Sequence, residues 1–475
     1  MPLGRLPSLI VLPISSLFKV TQSTQIAQMN ISQDYFWTID KEARQPIPDE
    51  VMRRAQRSLL DYLAVTCAGA HFQKEKLQGY FSFIEPEAGK YKAIGTGRNL
   101  AIKEAVFLNG LNAHALDYDD GTNSGIIHLG SPIFSLLIPL AQRYGKRVDE
   151  MLRAAVIGYE ASYTMAVSIQ PKHKALGFHA TGTCGMLGAT LAAAYMLGFT
   201  DEERYQAFAT ACVAASGMLK VLDDGSELKP YNVAKTALLS LTSLQLAKSG
   251  FKGHEDPLGG YRGFMKMMSG DENTPIKPTL LNGTYAIMKS YTKPYASCRY
   301  THPPVEAAIH MRNQYGIKPA DVKEIDIATY NLAVSGHDHT DIRGSYSAKM
   351  STPYSTAVAL TYGKAGLQEF EKDVLECAEI QELTRKVHVV ADEELSNIFP
   401  DKQSAIVRIV TNSGEYSERV DFPKGEPENP LTDEEFHDRY MALMTYGGIK
   451  EEICQAVYDM VKEPSSMVSD MIVKL

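Results

Sequence analysis

The sequence predicts a mainly α protein: a large all-helical domain built from N- and C-terminal segments, with a smaller α+β domain inserted between them. Three observations carry this. Before residue 250, segment after segment repeats apolar residues at helical spacing and is rich in Ala and Gly. After about residue 270 the pattern changes to strand-like alternation. From 431 to 462 helical periodicity returns. The expected division is a helical first part over 31–289, an α+β lid domain over 290–426 and a helical C-terminal part over 427–475.

Residues 1–30 fall outside this plan. They read as a disordered or over-long extension, or as a targeting segment, because one Arg precedes an apolar stretch. Pro7 and Pro13 interrupt that stretch, and it is too short to span a bilayer. Helices are predicted at 48–70 after Pro48, at 101–117, at 132–145 and at 147–169. Others are predicted at 180–198, 201–219 and 231–249, with Asp201 as a candidate N-cap. The small residues allow these helix axes to approach closely. VKEIDIATY (322–330), VHVVADEEL (387–395) and residues 404–425 read as strands, the last with an NSG hairpin turn at 412–414. Helices are expected near 303–314 and 351–363, and the tail 431–462 is helical.

Composition narrows the function. The formal net charge is -8, with no basic tract and no aromatic RNA-binding pattern, so nucleic acid is excluded as an expected partner. No stretch of 18 apolar residues occurs, so no membrane span is expected. The six cysteines are scattered, the nearest pair lying 28 residues apart. That spacing excludes CxxC and zinc-ribbon sites and fits a cytoplasmic, reducing environment. No GxGxxG, P-loop or GxSxG motif is present.

The chemistry concentrates in a few segments. HALDYDDGTNSGIIHLGSP (114–132) places Asp117, Asp119 and Asp120 between His114 and His128. GFHATGTCG brings His179 to a helix start, and LKPYNV brings Lys229. KPYASCRYTHPPVEAA carries Arg299 and His302 ahead of a proline-started helix, and SAKMSTPYSTAVAL carries Lys349, Ser351 and Tyr354. Each puts a cation or an imidazole where unpaired helix N–H groups favour anions. Converging, they would make a carboxylate site with proton-moving histidines.

Taken singly, the same residues have ordinary readings. Lys229 and Lys349 are expected solvated, His179 a packing or capping residue, Tyr354 a core tyrosine and Cys298 an inert packing thiol. Asp119 and Asp120 either end a helix and order a loop or serve a site. His337 and His339 are expected at the surface. A calcium loop at DYDDGTN lacks the spacing and the terminal Glu, and no metal is expected.

HALDYDD with the following His-Leu-Gly-Ser, AAVIGYE (154–160), GFHATGTCG, the KPY segment and KPYASCRYTHPPVEAA together resemble the MmgE/PrpD family, in order from about residue 45 to 460. That family includes 2-methylcitrate dehydratase, cis-aconitate decarboxylase and iminodisuccinate epimerase. The resemblance implies a helical domain with an α+β lid, a homodimer, a site between the domains and no obligatory cofactor. It implies active-site roles for His128, His179, Lys229, His302 and Tyr354, with Asp117 and Asp120 matching the family's acidic pair. The dehydratase branch reads like RWLDFNDTW and then GHPSDN, from which HALDYDDGTN and IIHLGSP depart.

The expected chemistry is cofactor-independent lyase action, decarboxylation or dehydration, on a small di- or tricarboxylate, with carbanion character beside a carboxyl group stabilised by preorganised donors and cations. His128 and His302 would handle protons and contact carboxylates, and Lys229 would neutralise a carboxylate or act as an acid. His179 and Tyr354 would donate hydrogen bonds. Arg299 would clamp a distal carboxylate, Lys349 would assist binding, and Asp117 and Asp120 would orient the loop bearing His128. An epimerase using the same carbanion and a non-catalytic carboxylate-binding protein are the alternatives.

Overall fold

A computed structural model describes residues 29–277 and 283–475, apart from the side chains of 223–225. The expectation for the N-terminal extension therefore lies almost wholly outside the described residues. The described residues are mainly helical, with two small sheets among them.

Asn30 opens the first helix, Ile31–Ala43, through a capping box with Gln33. The Asp49–Phe72 helix follows Pro48 and buries most of its length. At the centre lie Val148–Ile169 and Ala180–Met196, packed face to face. Gly158 and Gly188 make that approach possible. A Cβ at Gly188 would collide with the Ser162 hydroxyl and the Gly158 carbonyl. Around this pair pack Gly130–Tyr144, Asp201–Ala214 and Lys229–Lys248.

The second sheet has the strand order 387–391, 322–329, 405–411, 415–420. Its first pair is parallel and the others antiparallel. Ile325 lies opposite Ile409 and Ile327 opposite Val407, so the buried faces of two strands coincide in register. The helices His302–Tyr315 and Thr352–Tyr362 pack against this sheet.

The C-terminal helix Asp433–Tyr446 returns to pack on Asp49–Phe72. Its Arg439 is buried in an ion pair with Asp61. The same guanidinium donates to the Lys293 carbonyl at 2.6 Å and to the Tyr118 carbonyl at 3.0 Å. One C-terminal side chain thus fixes two loops that are distant in sequence and that carry the candidate site.

Several boundaries differ from expectation. The helix expected over 101–117 ends at Ala113, and Asp117 adopts φ +50. The acidic run that follows binds side chains from elsewhere instead of extending the helix. Expected to reach 219, the helix from Asp201 stops at Ala214. Beyond it, the 217–219 backbone pairs with residues 177–179, His179 N–H donating to Gly217 and Leu219 N–H to Gly177. Thr200, not Asp201, is the N-cap, in a capping box with Glu203. The strand at 387 ends at Ala391, because Asp392 caps a short helix, Glu393–Asn397. The tail is two helices, Asp433–Tyr446 and Glu451–Lys462, separated at Gly448, whose φ is +79. The Lys74–Phe83 helix and the hairpin of Ala88–Ala93 with Arg98–Leu100 were not foreseen. No helix among the described residues is long and apolar enough to cross a membrane.

Candidate active site

The site is built on the break after Ala113. His114 leaves the helix end, and three buried aspartates follow within six residues, each with different partners. Asp117 Oδ1 accepts from Lys229 Nζ at 2.7 Å and lies 3.4 Å from Lys293 Nζ and 3.6 Å from His128 Nε2. Burial alone would raise its pKa, but the two ammonium groups hold the carboxyl well below its usual range. Lys293 also donates to the Asp117 carbonyl.

Asp119 lies between two imidazoles. His114 Nδ1 donates to it at 2.9 Å, and His128 Nδ1 lies 3.3 Å away. Its other oxygen accepts from Ser131 Oγ at 2.6 Å. Here too burial acts upward and is outweighed, chiefly by His114 and His128, so the carboxyl stays well below its usual range.

Asp120 accepts from Gly130 N–H at 2.9 Å and from the Tyr159 hydroxyl at 2.5 Å. With no cation beside it, burial pushes it up to about 6. A Cβ on Gly130 would press on both Tyr159 and Asp120, so glycine keeps this brace closed. The Asp120 carbonyl accepts from His128 Nδ1 at 2.8 Å. A carbonyl can only accept, so the proton sits on Nδ1 and the free pair of His128 on Nε2, facing Asp117.

Lys229 starts its helix with Pro230 in the first turn. Its side chain is 12 % exposed. Desolvation lowers its pKa, but Asp117 more than compensates and the net shift is upward. His179 is the N-cap residue of Ala180–Met196, and its ring stacks 5.8 Å from that of His114. Burial, then the neighbouring His114 and Lys229, push His179 well below its usual value, so it is a neutral ring.

Two cavities meet at the Lys229–Asp117 pair. The larger, of about 410 Å³, also touches His114, His339 and Lys349. The smaller, of about 80 Å³, is lined by His128, His179, Lys174, Lys293, Arg299 and His337 among others. Its walls carry four cationic side chains, Lys174, Lys229, Lys293 and Arg299, against the single carboxylate of Asp117.

The structure therefore brings together Asp117, His128, His179, Lys229, Arg299 and Lys349, with Asp120 bracing the loop from behind. It does not bring His302 or Tyr354 to either cavity. His302 is fully buried behind Arg299, whose Nη1 donates to its Nδ1 at 2.7 Å. Burial and the Arg299 charge push His302 well below its usual value, so it acts on Arg299 as a neutral acceptor. The Tyr354 hydroxyl donates to the Glu369 carbonyl at 2.8 Å inside the core. Arg299 is not free to clamp a substrate bidentately, because its fork already holds Glu426.

The lysines are not solvated. Lys349 is 1 % exposed, donates to the Leu116 carbonyl at 3.1 Å and lies near the rings of Phe72 and Phe370. Lacking a carboxylate contact, its ammonium is pushed down by burial to about 7. His337 is buried rather than at the surface, donating to the Met350 carbonyl at 2.8 Å, and His339 is half-buried. Cys298 also borders the smaller cavity, and burial pushes its thiol up, away from thiolate.

Sequence reasoning named His114 without giving it a role and passed over Lys174, Lys293 and Glu426 as site residues. A signal existed for Lys293: it opens KPY at 293–295, the same tripeptide that Lys229 opens at 229–231.

His114, Asp117, Asp119 and His128 place ligand atoms within 4.8 Å of one another, close enough for a metal ion. Asp117 Oδ1 is committed to two ammonium groups and Asp119 to His114 and Ser131, while Asp117 Oδ2 and His114 Nε2 have no hydrogen-bond partner among the described residues. A divalent cation would meet Lys229 and Lys293 at contact range. The donor set suits a proton network better than a metal.

Residues 37–277 match the MmgE/PrpD N-terminal domain, and residues 295–462 match the MmgE/PrpD C-terminal domain. The chain belongs to the MmgE/PrpD family. Among its relatives, a cis-aconitate decarboxylase of Aspergillus terreus is 27% identical over 437 residues, 86% of this chain and 88% of the relative. A cis-aconitate decarboxylase-like protein of Aspergillus oryzae is 27% identical over 458 residues, 90% and 93% of the two chains. The cis-aconitate decarboxylase of Mus musculus is 22% identical over 413 residues, 83% of each. Within this MmgE/PrpD chain the N-terminal region supplies Asp117, His128, His179 and Lys229, and the C-terminal region supplies Arg299, His337 and Lys349. Lys293 falls between the two matched regions.

Proposed function

We propose that this chain is a lyase that decarboxylates a small polycarboxylic acid of the cis-aconitate kind, using its own side chains and no cofactor. The observation that carries the reading is the smaller cavity, where four cations face one carboxylate in a chain whose net charge is -8. Such a local reversal of sign costs stability unless an anionic ligand uses it. The names of the relatives, three of them cited above, agree with that chemistry.

In this reading Lys229 and Lys293 neutralise a substrate carboxylate, and Asp117 holds the two ammonium groups in register. The bond to the departing carboxyl group breaks, CO2 leaves, and the electron pair stays on carbon, delocalised toward the remaining carboxyl groups. Fixed cations on buried walls stabilise that charge far better than water would. His128 Nε2, whose free pair first takes up a proton from solvent, then passes that proton to the carbanion. His179 contributes a neutral hydrogen bond, and Lys349 a buried amine on the wall of the larger cavity. Asp120 and Asp119 fix the ring of His128, and Arg299, held by Glu426 and His302, adds field without a direct clamp. The sheet-bearing segment 290–426 serves as the lid over this site, and two copies form a homodimer. Six free thiols fit a cytoplasmic setting.

The test is a panel of cis-aconitate, citrate, 2-methylcitrate and iminodisuccinate, followed in D2O by NMR and CO2 release. Release of CO2 with one solvent deuteron placed on the product is expected. Deuterium entering a substrate without loss of CO2 or water would assign the epimerase reading instead. His128→Ala and Lys229→Ala that leave every activity intact would refute the assignment of this site.

A further inference from the structure

Lys174 borders the smaller cavity and has no carboxylate partner among the described residues. Its Nζ donates to the Tyr300 hydroxyl at 2.7 Å and lies 4.5 Å from the centre of that ring. Two other lysines on the walls of this cavity, Lys229 and Lys293, share Asp117, whereas Lys174, like Lys349 in the neighbouring cavity, has no carboxylate beside it among the described residues. A hydroxyl and a ring face do not repay the desolvation of an ammonium group, and burial pushes Lys174 down to about 8.

Tyr300 is a rigid platform for this contact. It is 8 % exposed and packs edge-on against Tyr330 and His337 at 5.7 and 5.2 Å. Burial pushes its phenol up, so the hydroxyl keeps its proton. Accepting from Lys174, it still has that proton to give.

The charges around the cavity can be counted. Lys229 and Lys293 share one carboxylate, which leaves one positive charge uncompensated. Arg299 is neutralised by Glu426. Lys174 adds a second uncompensated positive charge. Two such charges anchor two substrate carboxylates and leave a third free to depart.

We propose that the Lys174 ammonium and the Tyr300 hydroxyl form a second carboxylate subsite that makes this enzyme select tricarboxylates over dicarboxylates. The inference rests on the polycarboxylate reading of the site. In the complex, Lys174 Nζ and the Tyr300 O–H both donate to one substrate carboxylate, a charge-assisted pair of bonds.

The experiment measures binding of unreactive probes by calorimetry: propane-1,2,3-tricarboxylate and glutarate, against wild type, Lys174→Met and Tyr300→Phe. Wild type is expected to prefer the tricarboxylate. Lys174→Met should weaken tricarboxylate binding about 10- to 100-fold and leave glutarate within about threefold. Tyr300→Phe removes one hydroxyl from the same subsite and should weaken tricarboxylate binding about 5- to 10-fold. It also serves as the second variant should Lys174→Met fold poorly. With turnover, the loss should appear in KM while kcat changes little. A wild-type preference retained in both variants would overturn the subsite and leave the polycarboxylate reading standing. Wild type that binds neither probe would instead overturn that reading, and this inference with it.

Discussion

Replacing Asp117 by Asn removes the carboxylate that pairs with both Lys229 and Lys293 while keeping the side-chain volume. The carboxylate lies 2.7 Å from one ammonium group and 3.4 Å from the other. With an effective dielectric of about 20, those contacts are worth roughly 6 and 5 kcal/mol before desolvation is subtracted. Removing one member of a buried ion pair costs about 3–5 kcal/mol net, since the partner's charge is left unpaired. Asp117→Asn should therefore destabilise the protein by about 3–5 kcal/mol at pH 7.

The pH dependence has a definite sign. The folded pKa of Asp117 is depressed, so its contribution is present above the ordinary carboxylate pKa and fades as pH falls through the folded value. Lys229 is shifted upward, so its share of the pair is present at neutral pH and is lost only as pH rises through its folded value. The wild-type advantage should be flat from pH 6 to 8 and shrink below about pH 4.

Anion binding should move the other way. A carboxylate placed about 6 Å from Asp117 is repelled by up to roughly 3 kcal/mol at the same dielectric. Its removal should tighten propane-1,2,3-tricarboxylate binding about ten- to a hundredfold while turnover falls, because Lys229 is no longer held in register. Urea unfolding by circular dichroism and calorimetric titration measure both. Unchanged stability together with unchanged or weaker anion binding would refute the electrostatic account of this site.

Lys349→Met should stabilise the protein at pH 7 and progressively less toward pH 10. The wild-type ammonium is buried with its pKa near 7, so the unfolded chain binds the extra proton between pH 7 and the ordinary lysine value. Thermal unfolding across that range checks it, and a pH-independent difference would refute it. Tyr354→Phe leaves the Glu369 carbonyl without its donor and should cost about 1–2 kcal/mol of stability, with kcat/KM per folded molecule unchanged. A selective fall in kcat would return Tyr354 to the catalytic set. Exhaustive dialysis against EDTA should leave turnover intact, because the ammonium groups of Lys229 and Lys293 at Asp117 repel a divalent cation from the His114–Asp117–Asp119–His128 cluster. A loss restored by one divalent ion would make that cluster a metal site.

Much of the secondary structure was legible because it is local. Apolar spacing marked the helices Asp49–Phe72, Val148–Ile169 and Lys229–Lys248. Period-two alternation marked Val322–Thr329 and the hairpin 405–420. Where local pattern failed, long-range partners had taken over the chain. The helix toward residue 117 stops because Asp117, Asp119 and Asp120 bond to Lys229, His114, Ser131 and Gly130. Lys229 and Lys349 read as surface lysines because no sequence window shows that a carboxylate or an aromatic pair will enclose them.

By itself the sequence determined the mainly helical architecture, the strands at Val322–Thr329 and 405–420 and the concentration of acids and imidazoles at 114–132, because these follow from spacing along one stretch of chain. Only the tertiary structure decided which charges meet. It turned Tyr354 and His302 away from the cavities, spent Arg299 on Glu426, and brought Lys174 and Lys293 to the walls. A charge acts through distance and dielectric, and both are set by how segments more than a hundred residues apart pack around it.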